Sequence, residues 1–170
     1  MNATRCGAFA ALLLLLVAPR SPLLAQDVGL AIGSKPTAAA VEDLDGNAVD
    51  LGPLLGTKPV LVEFWATWCP LCKALEPKLI AAQQKYGSDV EFLVIGVGVN
   101  ETPRSIRRHL EKNPMPGRVL FDAKGAAVRA FQVPTTSFIA VLDASGAVRY
   151  TGTGAEQDIE AAIRRVLGGR

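Results

Sequence analysis

The chain has 170 residues, with 18 Lys and Arg against 16 Asp and Glu, 49% hydrophobic residues and three cysteines. That length and apolar content fit one medium globular domain and exclude an intrinsically disordered chain. Sixteen Gly and eleven Pro follow no fixed period, which excludes collagen-like and solenoid arrangements and leaves one α/β or α+β unit.

At the amino end, Arg5 precedes an apolar run over residues 8–18 that is broken by Pro19-Arg20-Ser21-Pro22. A bilayer span needs about 20 apolar residues, so residues 1–25 read as an export signal with a cut after Ala25. The alternative is an uncleaved membrane anchor over residues 8–24. On either reading, residues 26–170 form an exported domain, periplasmic or secreted. Residues 1–25 hold Arg5, Arg20 and Cys6 and no acid, so without them 16 basic residues face 16 acidic ones. A domain so balanced is not a general nucleic-acid binder.

Asp45-Gly46, between two short runs in residues 37–51, signals a small β-hairpin. Residues 60–66 read as a strand buried on both faces, interrupted by Glu63. The helix that follows places Leu71, Leu75, Leu79, Ala82 and Tyr86 on one face, with Gly87 as its stop and Pro77 as a kink. Residues 90–99 form a second buried strand, and strand, helix, strand in that order imply a parallel crossover. Thr102-Pro103 opens a short helix that turns Ile106 and Leu110 inward. Its other face carries Arg104, Arg107, Arg108 and Lys112, read as a solvated face, with docking of an acidic partner as the alternative. His109, the only histidine, reads as a surface residue there. A short strand at 118–121 and a helical turn with Val128 and Phe131 follow. Residues 137–142 and 147–151 form an antiparallel hairpin around Asp143 to Gly146. A last helix opens at Thr153-Gly154-Ala155-Glu156 as a capping box, and buries Ile159, Ala162, Ile163, Val166 and Leu167.

Cys69-Pro70-Leu71-Cys72 stands where the first buried strand gives way to a helix. Unpaired N–H groups and the helix dipole at such a terminus stabilise a thiolate and lower a cysteine pKa from about 8.5 toward roughly 3.5–7.5. Cys69, nearest the open end, is the expected nucleophile. Cys72, a turn later, is placed to attack the resulting mixed disulfide. A purely structural disulfide is disfavoured, because closing a four-residue loop removes little unfolded-state entropy. Zinc normally takes four N or S ligands, and the mature chain offers two cysteines and His109. Covalent haem attachment needs a histidine after the second cysteine, where this chain has Lys73. No metal site is expected.

The run Phe64-Trp65-Ala66-Thr67-Trp68-Cys69-Pro70-Leu71-Cys72-Lys73, with Pro77 and Val133-Pro134-Thr135-Thr136 ahead of a strand, resembles the thioredoxin-like thiol:disulfide reductases of the TlpA and ResA type. The resemblance runs from about residue 35 to 167. It implies an α/β thioredoxin-like fold: a central mixed sheet flanked by helices, an N-terminal β-hairpin and a central helical insertion over about residues 102–131. It also implies a cis Pro134 facing the cysteines, with the Val133 backbone pairing to a client segment. Trp68, Pro70, Val133, Pro134 and Thr135 are the implied client-binding residues. Glu63 stands where thioredoxin-like proteins often keep a buried acid. Burial would raise its pKa and let it take the Cys72 proton, and the opposing reading is a solvent-facing carboxylate.

The expected activity is that of a monomeric, exported thiol:disulfide oxidoreductase whose only cofactor is its own Cys69–Cys72 disulfide. The family points to reduction of exported proteins, apocytochrome c among them, with electrons from a membrane thiol donor. The competing readings are a disulfide oxidase or isomerase on the same fold, and a non-catalytic binding module. A peroxidase is disfavoured, since Thr67 alone does not make its motif.

Overall fold

A computed structural model describes residues 28–168; the expected leader lies outside them. Seven strands form one sheet in the order β2-β1-β5-β4-β3-β6-β7. The hairpin is β1 (Ala40–Glu42) and β2 (Ala48–Asp50), tied at its tip by Asp43, whose carboxylate accepts from the backbone N–H groups of Asp45 and Asn47. Such side-chain bonds to the backbone give the turn partners that the two-stranded ladder lacks.

At the centre lies β3 (Val60–Trp65), every residue buried. It runs parallel to β4 (Glu91–Val97) and antiparallel to β6 (Phe138–Leu142). Between β3 and β4 comes α1 (Pro70–Tyr86), the expected crossover. The insertion comprises α2 (Pro103–Leu110), β5 (Arg118–Asp122) and α3 (Ala126–Ala130). It is not only helical: β5 lies parallel to β4 and meets β1 through the pair Glu42 and Phe121, which joins the hairpin to the sheet. The chain then closes with β7 (Val148–Gly152), antiparallel to β6, and α4 (Ile159–Arg164).

Two apolar clusters sandwich the sheet. One joins Leu61 of β3 to Leu75 and Leu79 of α1 and Ile159 of α4; the other holds Phe64, Phe131 and Phe138. The Phe64 ring lies 5.3 Å from that of Phe131 and 5.9 Å from that of Phe138. Tilted pairs at that spacing add about 0.5–1.5 kcal/mol each to the burial of the rings themselves. They also pin both ends of residues 132–137 to the strand that leads into Cys69.

Other expectations need correction. Leu71 is half exposed, at 51%, because Cys72 takes the inward position in the first turn of α1. The last helix starts later than the capping box suggested. Its cap is Asp158, whose side chain accepts from Ala161 N–H, while Gly154 at φ +85° belongs to the preceding turn. His109 is half-buried rather than a surface residue, for it lies three residues after the inward Ile106 on the same helical face.

Candidate functional site

The site is assembled where β3 ends and α1 begins. Cys69 is the N-cap of α1, with extended φ and ψ, and Pro70 fills the first helical position, where a missing N–H costs nothing. Cys69 and Cys72 are bonded to each other, with Cα atoms 5.4 Å apart. Both are buried, Cys69 retaining 4% exposure and Cys72 none. Cys72 N–H donates to Cys69 Sγ at 3.1 Å, so the helix terminus directs a backbone dipole at the leading sulfur.

Glu63 is fully buried, and neither carboxylate oxygen has a hydrogen-bond partner. It lies two residues beyond Leu61 on β3, hence on the same face, which α1 covers. Because α1 runs back over β3, a step of about 6.8 Å along the strand corresponds to four or five residues toward the start of the helix, roughly 1.5 Å each. That brings Glu63 level with the turn that holds Cys72 and Glu76. Burial raises the Glu63 pKa to about 8, with the Glu76 charge adding to the rise. A carboxyl group so placed holds its proton at neutral pH and can exchange it in the range where thiols titrate.

The loop before Cys69 is held by an acid that the sequence reading missed. Glu101, 6% exposed, accepts from Thr67 N–H at 2.6 Å, from the Thr67 hydroxyl, and from the Ser105 hydroxyl at 2.6 Å. Its partners are 34 residues away in sequence, so no local pattern reveals the role. The usable signal was topological: an acid just past the carboxyl end of a parallel strand beside the one leading to the cysteines. Thr102 and Ser105 then close a reciprocal cap on α2. We expect Glu101→Ala to lower stability by about 2–4 kcal/mol, since it strands three donors, and to loosen the Thr67 to Cys69 loop. Thermal melting and amide exchange at Thr67 check this.

Trp68 is 49% exposed and donates its indole N–H to Val99 carbonyl at 2.9 Å. Trp68, Val133, Pro134 and Thr135 converge with Val99 and Val128 on one mostly apolar groove of about 300 Å³. Pro70 is exposed at the start of α1 and is not part of that groove. Trp65 is buried, and its ring meets His109 edge-on at 5.3 Å.

Pro134 is trans: no peptide bond among the described residues is cis, contrary to expectation. The trans form is the lower by about 0.5–1 kcal/mol. Left-handed Gln132 and Ser137, at φ +52° and +59°, turn the chain between α3 and β6 instead. The Val133 N–H donates to Val128 carbonyl at 2.9 Å, so that donor is not free to pair with a client strand.

A family model described as Redoxin matches residues 31–167. Thiol-disulfide oxidoreductase ResA of Geobacillus kaustophilus is 29% identical over 140 residues, covering 79% of this chain and 78% of the relative. Thioredoxin-like protein YneN of Bacillus subtilis is 25% identical over 140 residues, 79% of this chain and 80% of its own. Among solved structures, a thiol:disulfide interchange protein from Bacteroides sp. superposes with a TM-score of 0.69 at 21% identity, covering 82% of this chain and 92% of that one. That last likeness speaks for the fold.

Proposed function

The chain belongs to the Redoxin family and is a thioredoxin-like thiol:disulfide oxidoreductase; from that premise we propose that it works outside the cytoplasm, reducing disulfides in other exported proteins. The apolar run at the amino end supports export, and apocytochrome c is the client class that the family resemblance suggests. A membrane thiol donor would return the pair to its reduced form.

In the reaction we propose, the Cys69 thiolate attacks a client disulfide, forming a mixed disulfide and releasing one client thiolate. In the ionised fraction of Glu63, which grows as pH approaches 8, Cys72 gives its proton to that carboxylate and attacks Cys69 Sγ. This closes the protein disulfide and expels the second client thiolate, so two electrons pass from protein to client. Trp68, Val133, Pro134 and Thr135 hold the client chain beside Cys69.

One observation supports the reducing direction. The leading sulfur accepts a single backbone N–H, and no side-chain cation bonds it among the described residues. Strong oxidants in this fold owe their potential, near −120 mV, to a well-stabilised reduced pair, and one dipole stabilises it only modestly. Redox titration against glutathione is expected to give a potential below about −200 mV. A value above about −150 mV would instead make the chain an oxidase or isomerase.

A further inference from the structure

Three segments contribute residues to the apolar groove or run on from it: residues 66–74, 97–112 and 128–137. They carry Lys73, Arg104, Arg107, Arg108, Lys112 and Arg129 against two acids, Glu101 and Glu111. Glu101 is buried with its oxygens occupied. Arg107 is engaged by Leu44 carbonyl and Asp45. The others that matter are Arg104, Arg108 and Lys112, all exposed and all without an ion pair among the described residues.

Their four-residue spacing puts them on one stripe along α2 and the turn that follows it, about 12 Å long at 1.5 Å per residue. The stripe begins shortly after the segment that lines the groove. Val99 lines the groove and holds Trp68, Glu101 holds Thr67, and Thr102 caps the helix. Residues 26–170 are balanced in charge, and Arg107 on the flank of the helix already pairs with Asp45 of the hairpin, so the cations of α2 left without an acid are those of the stripe. A near-neutral protein with such a local field selects partners by charge.

We propose that α2 is a docking rail for an acidic segment of the client polypeptide, lying next to the disulfide that Cys69 attacks, while the apolar groove takes the residue flanking the client cysteine. This inference rests on the reductase reading and adds the class of client.

The test uses the pre-reduced full chain and two disulfide-linked peptides that differ only in carrying Glu or Lys about four residues from the cysteine, the reach of an extended chain over that stripe. Rates are expressed relative to a small neutral disulfide, so that changes in the cysteine pair itself cancel. The acidic peptide is expected to be reduced with kcat/KM about 10-fold higher at low salt. The ratio should fall toward one at about 0.5 M salt, where screening acts within a few ångströms. The triple variant Arg104→Glu, Arg108→Glu, Lys112→Glu should invert the preference, and the single reversals at Arg104 and Arg108 should each take part of it, which guards against a folding defect in the triple variant. A wild-type ratio near one, or a triple variant that keeps the preference, overturns the proposal. So does a ratio near one together with co-sedimentation on phosphatidylglycerol vesicles, which would make the stripe a lipid-facing surface. Failure to reduce either peptide removes the reductase reading as well.

Discussion

Cys69→Ser is expected to abolish reduction of a protein disulfide such as insulin's, by at least about 1,000-fold, whereas Cys72→Ala keeps the first attack and stalls as a mixed disulfide. The asymmetry follows from the geometry. Cys69 caps the helix and keeps a small exposed surface, while Cys72 is sealed beneath it. An incoming disulfide can therefore meet the first sulfur, and the second reaches only the covalent intermediate. Turbidity on insulin reads the loss, and mass spectrometry of the trapped adduct names the client. Equal activity in wild type and Cys69→Ser would turn the chain into a binding module on a redox fold. A serine variant that still formed adducts would reverse the two roles.

Glu63→Gln is expected to change both the pH profile and the stability. Wild-type Glu63 has a folded pKa of about 8 against an ordinary 4.5, chiefly from burial, with the Glu76 charge adding to it. The folded state therefore binds a proton that the unfolded state has lost between these two values. The stabilising contribution of that proton is complete below about pH 4.5 and is lost as pH rises to about 8, a fall of roughly 5 kcal/mol at about 1.36 kcal/mol per pH unit. Glu63→Gln removes the slope, so the difference between wild type and variant, from chemical denaturation of the oxidised proteins, should vary across that window. Asp143, held low by the Ser145 hydroxyl and Arg149, contributes the opposite sign, with stability lost as pH falls through the acid range. It contributes equally to both proteins and cancels. In stopped-flow reduction, closure of the mixed disulfide should slow about 100-fold in the variant and lose its inflection near pH 8. Parallel pH curves for the two proteins would show that Glu63 is a buried passenger.

The sequence revealed the parts of the site that depend on short-range pattern. A two-face apolar strand meeting a helix at Cys69 is a local signal; β3 and β4 followed from their continuous apolar runs and α1 from its helical period. Glu63 stood out as the one charge in that strand. What remained hidden depended on contacts across the fold. The isomer at Pro134 turns on less than about 1 kcal/mol of intrinsic preference, which neighbours override or reinforce. Glu101 bonds a loop 34 residues away. Thr153 and Asp158 both suit a helix cap, and the choice between them follows from burying Ile159 against α1. Exposed Leu71 and buried Cys72 are adjacent positions, 100° apart on the helix, so a small shift of the inward face exchanges them.

The Phe64 ring lies between Phe131 and Phe138, so the six residues that separate those two rings are stitched at both ends to the strand delivering the nucleophile. Residues 132–137 and the sulfur thus sit on a single rigid body, which is what a bound client would meet. Association then spends little on freezing the receptor, and discrimination among clients shifts from adaptability of the protein to the shape and mobility of the incoming chain.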